Sequence, residues 1–206
     1  MTVLGRQSAH LEAAMDMIRR SQEQLPLGPA LISWTRIVLL PICVWCGLNG
    51  SRTSLFWLVL IASASDYFDG WYARRIHGSS TPGKTLDMLA DKLFLSVMLI
   101  LLVKTGIIAT EWALLPAYYH IAVVLGLLLV SWSIGIPVVA ITTSERLTVI
   151  LNYVLVITAA GSGAFPGKSI FRELTHISLI LTPIAAVLGV LSYFRFARRL
   201  IQRYVR

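Results

Sequence analysis

Four aspartates fall within 26 residues of an otherwise apolar chain: Asp66, Asp69, Asp87 and Asp91. They are four of the protein's ten acidic residues. The local sequence reads Asp66-Tyr-Phe-Asp69-Gly70-Trp-Tyr-Ala73-Arg74, an eight-residue gap, then Gly83-Lys-Thr-Leu-Asp87-Met-Leu-Ala-Asp91. A carboxylate beside lipid is costly, so acids placed there pair, bind metal or handle protons. On helices, the i, i+3 pair and the i, i+4 pair each share a face. The Gly-, Ser- and Pro-rich linker between Arg75 and Lys84 suits a turn that makes two helix ends face one pocket. Four carboxylates so gathered repel one another unless cations or protons intervene. All-oxygen donors suit hard divalent ions such as Mg²⁺ or Mn²⁺. Two such ions clamp a pyrophosphate and stabilise both the attacking and the leaving oxygens. Gly70 and Ala73 remove bulk where a ligand approaches, and Arg74 offers phosphate a planar fork. The chemistry specified is metal-assisted substitution at phosphorus, with no protein nucleophile. Any one of these acids alone would more simply cap a helix or pair with Arg74, Arg75, Lys84 or Lys92. The four together, framed by glycines and an arginine, point to a site.

The elements that must position them are membrane spans. The chain has 206 residues, of which 56% are hydrophobic and only 14% charged, against about a quarter charged in soluble domains. Apolar segments run over roughly 29–49, 54–75, 86–108, 112–141, 146–165 and 174–195. The fourth is longer than one span needs, so it is expected to tilt or bend near Gly135 and Pro137. The expected fold is an all-α integral membrane protein with six transmembrane helices. An N-terminal amphipathic juxtamembrane helix, within residues 1–27 and carrying Leu11, Ala14, Met15 and Ile18, precedes the membrane domain of residues 28–206. The first 25 residues are too polar for an apolar signal core, so insertion is expected to rely on the first span.

Six spans put both termini on one side. With the termini inside, the outer loops hold Arg52, Lys104, Lys168 and Arg172, and the inner segments hold twelve lysines and arginines. That asymmetry favours cytoplasmic termini and a cytoplasmic aspartate cluster, in a bacterial inner membrane. The net charge of +8 then reflects cytoplasmic anchoring and attraction to anionic headgroups. A nucleic-acid partner is not expected, because no soluble segment is large enough to bind one. Cys43 and Cys46 read as two buried thiols on one helix face, since no second pair exists.

The aspartate segment resembles the signature of the CDP-alcohol phosphotransferase family, D-x-x-D-G-x-x-A-R-x8-G-x3-D-x3-D. Asp66, Asp69, Gly70, Ala73, Arg74, Gly83, Asp87 and Asp91 match every fixed position. The resemblance implies six transmembrane helices, a homodimer and a polar cytoplasmic-side cavity open to the bilayer. It implies two divalent cations, Mg²⁺ or Mn²⁺, with Asp66, Asp69, Asp87 and Asp91 as candidate ligands and the first three as the chief ones. Asp66, Asp69, Gly70, Ala73, Arg74 and Gly83 are implied to seat the CDP moiety. Asp91 is implied to be the general base on the acceptor hydroxyl, which attacks the lipid-side phosphorus of CDP-diacylglycerol and expels CMP.

Two further matches bear on the acceptor. Pro29-Ala-Leu-Ile-Ser-Trp-Thr-Arg36 is similar to the P-N-L-L-T-L-L-R of phosphatidylglycerophosphate synthases, with Ala30 in place of Asn and Ser33 in place of Thr. Arg36 is thereby a candidate ligand for the acceptor phosphate, or else an interfacial or paired arginine. Leu86-Asp87-Met88-Leu-Ala-Asp91-Lys92-Leu resembles the L-D-P-x-A-D-K-L of the same branch, with Met88 replacing Pro. That branch also carries G-K-x-K-T before span five, where this chain has Ser144-Glu145-Arg146-Leu147-Thr148. Arg146 is the second candidate for the acceptor phosphate. Glycerol 3-phosphate is the expected acceptor; phosphatidylglycerol, inositol phosphate, serine and choline are alternatives.

Histidines 120 and 176 are expected to make hydrogen-bonded helix contacts, and Asn152 and Tyr153 either to line the cavity or to join helices. Trp34, Trp57, Trp71, Trp112 and Trp132 read as belt or packing residues. Two other functions are compatible with an acidic membrane cluster. A divalent-cation channel or transporter would not need the Gly-Ala-Arg-Gly frame, and a purely structural protein would tolerate alanine at all four aspartates.

Overall fold

The computed structural model describes residues 27–75, 81–108, 111–134 and 143–204, with side chains excluded at 27–34, 66–75, 81–87, 112, 130–131, 133–134 and 196–204. Among the described residues there are six α-helices and no strand: α1 Leu27–Leu48, α2 Arg52–Arg75, α3 Thr81–Lys104, α4 Leu114–Ile134, α5 Thr143–Ala164 and α6 Ser169–Tyr204. A single 3₁₀ turn, Glu111–Ala113, leads into α4. Thr143–Ala164 and Ser169–Arg195 are long and apolar enough to cross a bilayer; Thr35–Leu48, Arg52–Ser65 and Leu114–Leu129 are shorter apolar stretches. The expected N-terminal amphipathic helix and the expected bend at Gly135 and Pro137 lie outside the described residues.

The linker after Arg75 is shorter than its composition suggests. Helix α3 already begins at Thr81, with Pro82 in its first turn. Proline is well tolerated there, because that N–H has no helical acceptor and the ring presets φ. Two tight corners at the opposite pole rest on glycine. Gly50 (φ 72°) ends α1 and Gly106 (φ 69°) ends α3. The Ser51 amide donates to the Cys46 carbonyl (2.9 Å) and the Gly50 amide to the Gly47 carbonyl (3.2 Å). The Ile107 and Gly106 amides repeat the pattern onto the Leu102 and Val103 carbonyls, both at 3.0 Å. Each is a Schellman cap, satisfying carbonyls that lipid could not.

Helix α3 is the centre of the bundle, packing on α1, α4 and α5, while α5 on α6 is the most extensive interface. One apolar core gathers Cys43 and Cys46 of α1, Leu55, Phe56 and Val59 of α2, Phe94, Leu95, Met98 and Leu99 of α3, and Leu155, Val156, Ala159 and Ala160 of α5. The expected burial of both thiols holds. Polarity is inverted relative to a water-soluble bundle. Arg36, Lys92, His120, Glu145, Thr148 and Asn152 are buried, while Ile180, Val187 and Phe194 of α6 and Leu129 and Trp132 of α4 are exposed. Apolar faces turned outward and polar groups joined inward is the arrangement expected when lipid is the solvent.

At the pole holding the glycine corners, aromatic packing joins α2 to the α5–α6 corner. Phe56 meets Phe165 edge-on at 5.3 Å and Phe171 at 5.7 Å, and Phe165 stacks on Phe171 at 5.9 Å. Such pairs add about 0.5–1.5 kcal/mol each beyond area burial. Gly161 makes room for this cluster: a Cβ there would lie 2.5 Å from Phe171 Cδ1. Gly161→Ala should therefore force the ring to move and cost about 1–3 kcal/mol, read as a lowered Tm in detergent micelles. An unchanged Tm would show that the ring yields freely.

Candidate active site

The last aspartate of the acidic segment is the point where three helices meet. Asp91, in the third turn of α3, is ion-paired with Arg36 of α1, and the exposures of the two side chains are 16% and 0%. Tyr153 of α5 donates its hydroxyl to Asp91 Oδ1 at 3.2 Å. Both contacts fall on Oδ1. Tyr153 in turn stacks on Phe94 of α3, with ring centroids 6.4 Å apart, so its hydroxyl is aimed by packing. Arg36, one of the two acceptor-phosphate candidates, is thus found as a paired arginine, and Tyr153 lines the site at Asp91. The other candidate, Arg146, is exposed in the first turn of α5.

The next residue, Lys92, lies about 100° further round α3 and meets a different partner. Its ammonium pairs with Glu145 Oε1, and both side chains are almost fully buried. Tyr193 of α6 donates to the other carboxylate oxygen, Oε2. Glu145 is in the first turn of α5, where the helix dipole also favours a negative charge. Close by, Ser192 Oγ donates to Ser144 Oγ at 3.0 Å, and Thr148 Oγ1 reaches the Ala185 carbonyl of α6 at 3.0 Å. A third polar contact joins α4: Asn152 Nδ2 lies 3.1 Å from His120 Nε2 and donates to the Thr148 carbonyl at 2.9 Å. His120 is therefore a hydrogen-bonded helix contact, as expected. His176 is not buried between helices: it is exposed near the start of α6.

Asp66, Asp69, Gly70, Ala73 and Arg74 all lie in the last four turns of α2, and Gly83 and Asp87 in the first two turns of α3. The backbone thus carries Asp66 and Asp69 near the C-terminal end of α2 and Asp87 and Asp91 in the N-terminal half of α3. Their spacing keeps the character of a hard-oxygen donor set. Among the described residues, no group of three or more metal-capable side chains is gathered.

Residues 27–191 match the CDP-alcohol phosphatidyltransferase family, a stretch from the start of α1 well into α6. The chain belongs to that family. It is 37% identical over 101 residues to the CDP-diacylglycerol–glycerol-3-phosphate 3-phosphatidyltransferase of Pseudomonas fluorescens, covering 48% of this chain and 49% of the relative. To the protein of the same name from Aquifex aeolicus (strain VF5) it is 39% identical over 66 residues, 32% of this chain and 37% of the relative. To that from Bacillus subtilis (strain 168) it is 41% identical over 83 residues, 40% and 42%. The chain spans about half the length, or less, of these curated relatives.

Within this member of the family, the functional-site residue that the sequence alone does not single out is Glu145. It stands in a segment where basic residues were sought, and only Arg146 was singled out there. A signal is present: Lys92 is a charge inside an apolar stretch, Glu145 stands at the edge of another, and charges there are matched. Tyr193 donates to the same carboxylate. Removing one partner of a buried pair leaves an uncompensated charge, whereas replacing both by apolar groups does not. Glu145→Ala should therefore cost about 3–5 kcal/mol, while Lys92→Met with Glu145→Leu recovers most of that loss. Thermal unfolding of the single and double variants in detergent checks this; a double variant no better than Glu145→Ala would refute the coupling.

Proposed function

We propose that this protein transfers a phosphatidyl group from CDP-diacylglycerol to glycerol 3-phosphate and releases CMP, as a step of phospholipid synthesis. The observation that carries the reading is Asp91: the last acid of the family segment is held on one oxygen by Arg36 and Tyr153, leaving Oδ2 for a substrate proton. The acceptor hydroxyl oxygen attacks the phosphorus bearing the diacylglycerol. The bond from that phosphorus to the CMP oxygen breaks, and the hydroxyl proton passes to Asp91. Asp66, Asp69, Gly70, Ala73, Arg74 and Gly83 seat the CDP group. Two divalent cations, Mg²⁺ or Mn²⁺, held by Asp66, Asp69 and Asp87 with Asp91 adjoining, supply the charge neutralisation that phosphorus substitution needs. Arg146, exposed at the start of α5, takes the acceptor phosphate.

In this reading all six helices cross a bacterial inner membrane, with the aspartate pole and both termini cytoplasmic, and the protein works as a homodimer. The relatives named for glycerol 3-phosphate support that acceptor. The buried Lys92–Glu145 pair bears on it too, because a lysine neutralised by a glutamate contributes little net field to an anionic acceptor. Arg146 then carries more of that task.

The test is CMP release by the purified full chain with CDP-diacylglycerol, Mg²⁺ or Mn²⁺, and glycerol 3-phosphate against phosphatidylglycerol, inositol phosphate, serine and choline. Release that depends on glycerol 3-phosphate is expected; release with another alcohol instead reassigns the acceptor, and none with any alcohol rejects the activity. Asp91→Asn should lower kcat by about 10²–10⁴-fold while CDP-diacylglycerol still binds. Near-normal turnover would remove Asp91 as the base. Tyr153→Phe, which deletes a single hydrogen bond to a charged group, should lower kcat by about tenfold. Arg146→Ala should raise the acceptor KM and spare kcat, and an unchanged KM would exclude it from the acceptor site.

A further inference from the structure

The pole away from the aspartates is also charged. Arg52, Lys104, Lys168 and Arg172 stand there against Glu111 and Glu173. About 20 Å of α3 separates Asp91 from Lys104, so nothing at this pole belongs to the site described above. A cleft of about 500 Å³ opens here, between the residues that follow α3 and the corner joining α5 to α6. That volume lies within the roughly 300–1,000 Å³ of small-ligand sites.

Its lining is divided by chemistry. Lys168, Arg172 and His176 line it from the corner and the first two turns of α6, with four-residue spacings that put them along one side. Ser162 adds a hydroxyl from α5, and no carboxylate takes part in the lining. Glu173 is about 100° from Arg172 on the same helix and three residues before His176, outside the lining. Ile107 and Leu179 form an apolar floor. The Schellman cap at Gly106 fixes the backbone that carries Ile107, and the Phe56–Phe165–Phe171 cluster fixes the corner that carries Lys168. The cationic side of the cleft is therefore mounted on a rigid frame. Along the same helix Ile180, four residues past His176 and so on the same side, is exposed by more than half, a surface suited to acyl chains.

We propose that this cleft binds the phosphate group of an anionic phospholipid in the leaflet opposite the aspartate cluster. Arg172 offers the phosphate oxygens a two-pronged contact, Lys168 a point charge and His176 a single donor. The glyceride chains lie along α6 over Ile180. Free inorganic phosphate shares the headgroup chemistry but has no use for the apolar surface.

The experiment is native mass spectrometry of the purified full chain, titrated with short-chain phosphatidylglycerol, phosphatidylcholine or inorganic phosphate. The readout is binding and does not depend on CMP release. Phosphatidylglycerol should be retained over phosphatidylcholine. The double variant Lys168→Ala/Arg172→Ala should weaken that retention by about tenfold or more, since hydrogen bonds to charged groups are lost. Arg52→Ala, which removes an exposed cation of the same pole outside the cleft, should not. Both cleft side chains are exposed, so the double variant is expected to fold; Arg172→Glu, which reverses the charge, should weaken binding further. Equal retention of phosphatidylglycerol by the double variant and by Arg52→Ala would overturn the site. Displacement of the lipid by equimolar inorganic phosphate would overturn the lipid as its occupant.

Discussion

A charge inside an apolar bundle has to be matched, and most of this structure follows from that requirement. Taking an ion out of water costs several kcal/mol even after relaxation, so a lone buried charge would undo the packing around it. Helix α3 brings two such charges, Asp91 and Lys92, at successive positions and therefore on different sides of the helix. Arg36 and Tyr153 answer the first, Glu145 the second, and Tyr193 completes the carboxylate of Glu145. These contacts draw α1 and α5 onto α3 and tie α6 to α5. They contribute less to net stability than to uniqueness, because a rotated or slipped helix would strand a charge.

The two poles of the bundle are built by different means. Toward one end the helices meet through aromatic rings, small residues and glycine corners, exemplified by Gly161 beneath Phe171 and by the caps at Gly50 and Gly106. Toward the other they meet through ion pairs and hydroxyls. Lipid gives no hydrophobic drive between helices, so close packing and polar contacts must hold them together. An apolar, tightly packed end keeps the helices in register, and the polar end can then hold carboxylates where a phosphate ester and its cations would approach.

The same matching explains how a partly buried carboxylate can be held firmly through one oxygen alone. Arg36 and Tyr153 reach Asp91 through one oxygen, so the side chain is oriented without both oxygens being consumed. Tyr153 is itself steadied by Phe94, which belongs to the apolar core. A chain of contacts thus runs from packing to the position of one oxygen atom. Glu145 works at one remove, holding Lys92 beside Asp91 and turning its charge away from the acid.

Much of this was legible in the chain itself, for reasons of local physics. Apolar runs long enough to form helices located all six, because hydropathy acts on each segment separately. The acids, glycines and Arg74, at fixed intervals over 26 residues, identified the family, since side chains near in sequence and carried on helices have predictable relations. Corners are harder to read: Pro82 stands in a Gly- and Ser-rich stretch that suits a turn, yet a proline in a first helical turn is compatible with continued helix. What only the tertiary structure decided was the pairing between distant segments. Arg36 with Asp91, Lys92 with Glu145, Glu145 with Tyr193, and the assembly of Lys168, Arg172 and His176 around one cleft each depend on which helices become neighbours and how they are rotated. A charge announces that it needs a partner. Which partner answers is set by packing over the whole bundle, and no single segment contains that information.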